Sequence, residues 1–345
     1  MCAILTKREV VMSVIKLGID MGSSSTSIYR QGKGLILKEP TCALCEQDDY
    51  GRVRVREYGK RADKIKGRVP AHMQLIEPIV DGEVVNVGIA TKLLRKYIEL
   101  VTVDNPDAKV YALISVPCGL SNEGKKQYEV MADGAGIDSV VLVPTVISSA
   151  IGAGCDLYTQ QNILLVDIGG GCTDIAVIGE CGIIHGLTIN IGAIKMNKSI
   201  QRYIEQKYDL SIDVSTAQLL KEEIGSLLPN DVSSMNIQGV SLSDNTLQEI
   251  VITADDVYRA IVEYYELITE SVNTILNSCS PEIVGYIHRV GVVVCGNASK
   301  IVGLDRFMSN YLGIRVAIVE GSMSAQGLGM LLGDKKLLNT IIEEN

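Results

Sequence analysis

The chain carries one pattern twice, as Gly-Ile-Asp-Met-Gly-Ser-Ser-Ser-Thr-Ser-Ile at residues 18–28 and as Leu-Val-Asp-Ile-Gly-Gly-Gly-Cys-Thr-Asp-Ile at residues 165–175. Each copy begins with an apolar run typical of a buried strand, turns through Asp-x-Gly and further small residues, and continues as a second apolar run. The repeat predicts two related halves, each containing a strand–turn–strand hairpin.

The turn in each copy has the chemistry of a phosphate site. Small residues leave backbone N–H groups uncovered, so an anion can approach them closely. Asp20 and Asp167 lie just ahead of the turns, where a carboxylate can hold a hydrated divalent cation such as Mg²⁺. A single Asp-x-Gly turn is more often only structural. Its duplication in the same strand context favours a cleft in which two facing hairpins grip the phosphate chain of a nucleotide.

Composition restricts the other classes of function. The chain has 345 residues, 47% hydrophobic and 21% charged, which is enough for two domains with sizeable cores. Its formal net charge of −9 disfavours nucleic acid as a partner, because binding a phosphate backbone needs a basic surface. No apolar run approaches the roughly 18 residues that span a bilayer. Residues 1–11 are too short and too charged for a secretory signal, so we expect a cytoplasmic protein with an N-terminal tail, and Met12 is an alternative start.

Strands and helices alternate along the chain, which predicts an α/β layered fold. Helical spacing of apolar residues predicts helices over 86–101 and 217–228, and Thr253 is a candidate N-cap for a helix over 255–276. Residues 229–249 are predicted to be loop-rich, and residues 290–294 to form a strand. The further predicted strands are 14–19, 27–29, 35–37, 110–116, 140–143, 175–178, 181–187 and 316–319, and further helices begin at Ser121, Val146, Met196 and after Gly296.

Several other stretches resemble the MreB family of bacterial cytoskeletal proteins, within the actin-like ATPase superfamily. The resemblance extends from about Val14 to Leu332, and the stretches that carry it, in family order, are Gly32-Lys33-Gly34, Glu39-Pro40-Thr41, residues 77–84, residues 115–119, residues 150–154, residues 221–226 and Gly303-Leu304-Asp305. It implies an α/β fold of the duplicated, ribonuclease H-like, actin-like ATPase type. Two large domains, each with an inserted smaller lobe, would enclose a nucleotide cleft.

The resemblance also implies a division into subdomains. Residues 1–13 would be the tail. The four subdomains would be IA (14–43, 78–158 and 328–345), IB (44–77), IIA (159–195 and 253–327) and IIB (196–252).

The implied ligands are ATP or GTP together with Mg²⁺, with Asp20 and Asp167 on the metal. The nucleotide would be contacted by Gly22, Ser23, Ser24, Ser25, Thr26, Gly169, Gly170, Gly171, Cys172, Thr173, Gly192, Lys221, Glu222, Gly296, Asn297 and Ala298. For Lys221 and Glu222, an ordinary solvated helix face is nearly as good an interpretation.

Members of this family assemble into antiparallel pairs of protofilaments, usually on the inner membrane face, where they organise wall synthesis and cell shape. The implied partners are therefore further copies of this chain and membrane-associated cell-wall synthesis proteins. One form of membrane contact in the family uses an apolar loop after the helix that here ends near Val101. Residues 102–107 are polar, so we expect only a weak membrane contact through residues 1–11.

The sequence departs from the family pattern around the chemistry. The water-activating glutamate of the family falls on Thr145, and Cys172 replaces another residue near the γ-phosphate. Residues 192–197 are Gly-Ala-Ile-Lys-Met-Asn where the family has Gly-Gly-Asp-Glu-Met-Asp, and the Thr-Gly-Gly-Gly turn has become Cys295-Gly296-Asn297-Ala298. Thr145 cannot act as a base at neutral pH, and losing such a base costs about 10²–10⁴-fold in rate.

The resulting hypothesis is a divergent MreB-like protein that binds nucleotide and polymerises, with weakened or absent ATP hydrolysis. One alternative is a non-polymerising adaptor with the same fold. Another is an actin-fold ATPase or kinase, which would need a carboxylate base in the cleft where this chain has Thr145 and Ile194.

Overall fold

The computed structural model describes residues 13–48, 51–159, 161–180 and 182–344. Its strands, in chain order, are β1 (Val14–Met21), β2 (Ser25–Arg30), β3 (Gly34–Pro40), β4 (Ala43–Gln47), β5 (Val53–Tyr58), β6 (Met73–Ile76), β7 (Ile79–Val80), β8 (Glu83–Val84), β9 (Lys109–Val116), β10 (Ser139–Pro144), β11 (Ile163–Ile168), β12 (Thr173–Gly179), β13 (Gly182–Ile189), β14 (Leu210–Ser211), β15 (Ser234–Ser241), β16 (Leu247–Thr253), β17 (Val292–Cys295) and β18 (Val316–Ile318). Its helices are α1 (Gly59–Asp63), α2 (Val87–Val101), α3 (Asn122–Gly134), α4 (Thr145–Gly152), α5 (Ala193–Tyr208), α6 (Val214–Ile224), α7 (Ala254–Asn277), α8 (Pro281–Val290), α9 (Leu304–Leu312), α10 (Ser324–Leu331) and α11 (Lys335–Glu344).

Two five-stranded sheets with the same internal order form the centre of the molecule. The first has the order β3-β2-β1-β9-β10, and the second has the order β13-β12-β11-β17-β18. In each sheet the hairpin strands pair antiparallel, and the first strand of the hairpin then pairs parallel with a later strand. The prediction of two related halves is confirmed.

The two repeated hairpins have the same local geometry. In the first, the Gly22 N–H donates to the Ser25 carbonyl at 3.0 Å, and in the second the Gly169 N–H donates to the Cys172 carbonyl, also at 3.0 Å. The apolar residues ahead of each turn are buried in the sheets, which fixes the register. Each aspartate is therefore delivered to the same place, at the end of a buried strand beside the turn.

Two smaller sheets form inserted lobes, with orders β5-β4-β6 and β14-β15-β16. The second contradicts the prediction that residues 229–249 are loop-rich, because β15 and most of β16 lie there. In β15 only alternate residues from Ile237 onward are buried, namely Ile237, Gly239 and Ser241, and the exposed Gln238 and Val240 separate them. Two of those three buried residues are small or polar, and Val240 is exposed, so the buried face of the strand lacks the alternating apolar residues by which strands are recognised.

Several predicted boundaries are wrong for identifiable reasons. The helix predicted over 217–228 ends at Ile224, because Gly225 adopts an extended conformation. The strand predicted to start at Val290 starts at Val292, because Val290 ends α8 and Gly291, with φ of 97°, breaks the chain direction. The predicted strand over 181–187 is β13, and Cys181 lies outside the described residues.

Four helices were not predicted, namely α1, α8, α10 and α11. For α8 the sequence did carry a signal, since Ser280 caps the helix and Pro281 occupies its first turn. Helix α10 spans the expected subdomain boundary between residues 327 and 328. It packs closely on α4, where a Cβ at Gly327 would lie 1.7 Å from the Ser148 carbonyl oxygen.

None of the helices within the described ranges is long and apolar enough to cross a membrane.

Candidate functional site

The two hairpin turns face each other across a cavity between the sheets. The cavity is lined by Asp20, Met21, Gly22, Ser23, Ser24, Ser25, Gly82, Ser115, Pro117, Tyr128, Thr145, Asp167, Gly169, Gly170, Gly171, Cys172, Asp174, Gly296, Asn297 and Ser322. Most of the residues predicted to bind nucleotide or metal are thus brought together from distant parts of the chain.

The hairpins approach each other so closely that the second one has room only for glycine. A Cβ at Gly170 would lie 2.5 Å from the Ser24 Cβ, and a Cβ at Gly171 would lie 2.4 Å from the Ser23 Oγ. Real Cβ atoms do not approach other heavy atoms at such distances. The glycines are therefore required by the facing hairpin as well as by any phosphate that uses their N–H groups.

The two predicted metal ligands are held by serine hydroxyls. Asp20 accepts hydrogen bonds from Ser115 Oγ at 2.9 Å and from Ser322 Oγ at 3.0 Å. Asp167 is buried and accepts one from Ser149 Oγ at 2.5 Å. Burial raises the pKa of both carboxyls, that of Asp167 to about 7, and the charge of Asp20 adds to the effect on Asp167. A divalent cation between them would remove this penalty, so the donor set fits Mg²⁺.

A third acid, Asp174, is engaged in joining the two halves. Its Oδ1 accepts from the Cys118 N–H at 2.9 Å and from Thr188 Oγ1 at 2.6 Å. The Gly119 N–H in turn donates to Thr188 Oγ1 at 2.8 Å. Burial raises the pKa of Asp174 as well. These contacts connect the loop after β9 in the first half to β12 and β13 in the second.

The two positions where catalytic groups were expected both line the cavity, but neither carries a base. Thr145 is the first residue of α4 and offers only a hydroxyl. Burial raises the pKa of the Cys172 thiol well above its ordinary value, and the nearby carboxylates of Asp174 and Asp167 raise it further. At neutral pH this thiol stays protonated, so it can neither activate water nor act as a nucleophile.

Six of the predicted contact residues do not line the cavity, and four of these six contact the hairpins or the turn after β17. Thr26 is buried and its hydroxyl lies 2.9 Å from the Thr41 hydroxyl, while the Thr173 hydroxyl donates to the Ile191 carbonyl at 2.7 Å. Gly192 lies against the second hairpin, where its Cβ would be 2.5 Å from the Gly170 carbonyl oxygen. Ala298 is buried, and its carbonyl accepts from Tyr265 Oη at 2.8 Å. These residues support the hairpins and the turn after β17.

Lys221 and Glu222 also lie away from the cavity lining, on α6. Lys221 is buried, and its Nζ donates to Asn197 Oδ1 at 2.7 Å and to the Ala193 carbonyl at 3.4 Å. Burial lowers the pKa of Lys221 to about 8. Glu222 is exposed and accepts from Gln218 Nε2 at 2.8 Å. For Glu222 this is the geometry of a solvated helix face, whereas Lys221 is part of the interior.

Sequence reasoning missed a third turn at the cavity, formed by Asp81 and Gly82 between β7 and β8. Both residues have positive φ, 51° and 82°, and the Gly82 N–H donates to Ser23 Oγ at 3.1 Å. An Asp-Gly pair flanked by short strand-like segments, here Ile79-Val80 and Glu83-Val84, is a strong signal for a tight hairpin, so the turn could have been predicted. Asp81 also pairs with Lys195 of the second half, with Oδ2 and Nζ 3.6 Å apart.

Comparison with known proteins agrees with this arrangement. The family model described as MreB/Mbl protein matches residues 14–340. The cell shape-determining protein MreB of Escherichia coli K12 is 30% identical over 318 residues, 91% of each chain. The cell shape-determining protein Mbl of Bacillus subtilis 168 is 27% identical over 314 residues, 91% of this chain and 93% of its own.

Solved structures give the same result for the fold. MreB5 of Spiroplasma citri bound to ADP superposes with a TM-score of 0.87 at 24% identity, covering 96% of this chain and 99% of its own. The MamK double helical filament gives a TM-score of 0.78 at 20% identity, covering 93% and 99%. The fold is therefore that of the actin-like filament proteins, as the resemblance implied. The chain belongs to the MreB/Mbl protein family.

Proposed function

We propose that the protein is a nucleotide-binding filament protein that takes part in determining cell shape, with weak or absent ATP hydrolysis. The observation that carries this proposal is the cavity between the facing hairpins, which keeps the two serine-held aspartates and the bare glycine backbone but has no base at Thr145 or Cys172. The proposal thus separates binding of the nucleotide from its turnover.

The nucleotide would be ATP or GTP, bound with Mg²⁺. Asp20 and Asp167 would hold the cation, mostly through its water molecules. The N–H groups and hydroxyls of the first hairpin and the backbone of Gly169, Gly170 and Gly171 would receive the phosphates. Bound Mg²⁺ would neutralise part of the phosphate charge. The solved structures of MreB5 of Spiroplasma citri bound to ADP and to AMPPNP support the proposal that this protein binds a nucleotide.

Self-association into filaments is the second part of the proposal. It is supported by membership of the MreB/Mbl family and by the likeness to a protein solved as a double helical filament. We infer the four-subdomain division that the resemblance to the family implies, in which the two three-stranded lobes are IB and IIB. A role in cell shape is supported by the names of the relatives, which are cell shape-determining proteins.

A location at the inner face of the cell membrane, near cell-wall synthesis proteins, is the least direct part of the proposal. Residues 1–11 lie outside the described residues. In the loop after α2, the Asp104 carboxylate forms ion pairs with Arg30 and with Lys33. The Lys33 Nζ lies 2.7 Å from the Asp104 Oδ2. Co-sedimentation with anionic liposomes, with and without residues 1–11, tests the contact. We expect binding that is weak and lost on removal of these residues.

The deciding experiment measures pelleting and phosphate release on the same samples. With Mg²⁺-ATP or with Mg²⁺-AMPPNP we expect filaments that pellet equally well, and phosphate release close to background. A Thr145→Glu variant places a carboxylate in the cavity and should raise phosphate release, because a positioned base contributes about 10²–10⁴-fold. Failure to pellet under either nucleotide would favour the adaptor alternative. Rapid release by the wild type that is abolished by Asp167→Ala would show that another base activates the water.

A further inference from the structure

Charge is distributed unevenly around the cavity. Among the described residues that line it, Asp20, Asp167 and Asp174 are carboxylates, and none is Lys, Arg or His. Mg²⁺ would neutralise only part of the charge of a nucleoside triphosphate and these acids. A cation that reaches the phosphates from outside the lining would therefore strengthen their binding.

Lys195 is a cation placed to do so. It lies in the first turn of α5, which begins directly behind the second hairpin: the Ala193 N–H donates to the Gly169 carbonyl at 3.0 Å, and the Ile194 N–H donates to the Gly170 carbonyl at 2.9 Å. The Lys195 side chain is 41% exposed, and its Nζ lies 3.6 Å from Asp81 Oδ2. It also donates to the Asn190 carbonyl.

The ion pair with Asp81 holds the Lys195 ammonium beside the cavity. A Cβ added to Gly171 would lie 3.0 Å from the Asp81 Cα, so the ion pair is formed beside the turn of the second hairpin. The next residue, Gly82, lines the cavity and is bonded to Ser23 of the first hairpin. The ion pair therefore joins the two halves of the molecule beside the point where both hairpins meet.

We propose that Lys195 is the residue that recognises the terminal phosphate of a nucleoside triphosphate, and that Asp81 holds its ammonium in position until the phosphate arrives. The inference rests on the proposed function, since it assigns a specificity residue to the same site. Lys195 would distinguish triphosphate from diphosphate.

The test compares affinities for Mg²⁺-AMPPNP and Mg²⁺-ADP by titration calorimetry. Lys195→Ala should weaken AMPPNP about tenfold or more, the usual effect of losing one charge-assisted hydrogen bond, and leave ADP nearly unchanged. Lys195→Arg should retain most of the preference for AMPPNP because it keeps the charge. Lys198→Ala, which removes an exposed lysine one turn along α5, is the matched control and should change neither affinity.

The outcomes separate this inference from the proposed function. If the wild type binds neither nucleotide, the proposed function fails. If it binds both and Lys195→Ala weakens both equally, or neither, the inference is overturned. Asp81→Asn tests the second part: AMPPNP affinity should stay the same or rise, because the ammonium loses a competing partner. A loss in Asp81→Asn equal to that in Lys195→Ala would show instead that the ion pair only holds the cleft closed.

Discussion

The two hairpins share a backbone geometry but present opposite surfaces to the cavity. The first presents side chains, with Ser23 accepting a hydrogen bond from Gly82 and Ser24 facing the second hairpin. The second presents bare backbone, because Gly170 and Gly171 have no room for a Cβ beside those serines. A repeated sequence has therefore produced complementary parts rather than two equivalent phosphate sites.

The aspartates of the two hairpins differ in a related way. Asp20 is half-buried and is held by two serines from other elements, whereas Asp167 is buried and receives a single serine hydroxyl within hydrogen-bonding distance. Burial raises the pKa of Asp167 from an ordinary 3.8 to about 7. The second hairpin thus contributes the acid that is the more costly to keep charged without a cation.

Removing that acid should have the largest effect. Asp167→Asn should abolish measurable Mg²⁺-nucleotide binding in calorimetry, since it removes the charge of one of the two proposed metal ligands. Without Mg²⁺ it should stabilise the protein at pH 8 by about 2–4 kcal/mol, because a shift of this size corresponds to roughly that free energy. The sign follows from the raised pKa: stability of the wild type falls as pH rises from about 4 to about 7, and the variant lacks this slope.

Asp20→Asn is the matched variant in the first hairpin. It should also abolish Mg²⁺-nucleotide binding, but the gain in stability without Mg²⁺ should be smaller, because Asp20 is less buried and has two hydroxyl donors. Chemical denaturation at pH 5, 6, 7 and 8 measures both. Equal stabilisation by the two variants would contradict the difference drawn between the hairpins.

The contact between the hairpins can be broken and then repaired. Gly170→Ala should destabilise the closed cleft by about 1–3 kcal/mol, the usual cost of forcing a methyl group into filled space, and should weaken nucleotide binding. Adding Ser24→Gly should recover most of the loss, since the Ser24 Cβ is the atom that the new methyl group meets. A double-mutant cycle measures the coupling. Additive losses would mean that the hairpins do not contact each other in solution.

The sequence predicted the two hairpins well because their signal is local, and it also placed Asp20 and Asp167 beside the turns. An apolar strand, an Asp-x-Gly turn and a second strand lie within eleven residues in each copy. Ser115, Ser149 and Ser322 could not be predicted, because each belongs to a different element and meets an aspartate only through the packing of the sheets. The lobe strand β15 was missed for another reason, since its buried positions include Gly239 and Ser241.

The contact between α5 and α6, behind the second hairpin, offers a test with a smaller expected effect. Lys221 is buried against Asn197 of α5, and burial lowers its pKa from an ordinary 10.5 to about 8. The wild type should therefore gain stability as pH rises from about 8 to about 10.5, where the lysine loses its charge. Asn197→Asp should stabilise the protein at pH 7 by about 1 kcal/mol and reduce that slope, because it gives the buried ammonium an anionic partner.

Asn197→Ala is the control for this test. It removes the acceptor and should destabilise the protein at pH 7, because a buried ammonium is left with one long contact to Ala193. Thermal denaturation at pH 7 and pH 9.5 measures both variants. If Asn197→Asp lowers stability at pH 7, the desolvation of the new carboxylate outweighs the ion pair.

The smallest effect on nucleotide binding is expected from a substitution at Cys172, where the second hairpin has a thiol and the first has a hydroxyl. Cys172 corresponds to Ser25, and burial keeps its thiol protonated. Cys172→Ser should therefore leave nucleotide affinity and phosphate release within about twofold, as is usual for a substitution that removes neither packing nor charge. Iodoacetamide should label Cys172 slowly at pH 7 in the folded protein and rapidly after denaturation, which mass spectrometry can follow. Rapid labelling of the folded protein with loss of nucleotide binding would instead identify a reactive thiolate, and the second hairpin would then carry a chemical group that the first lacks.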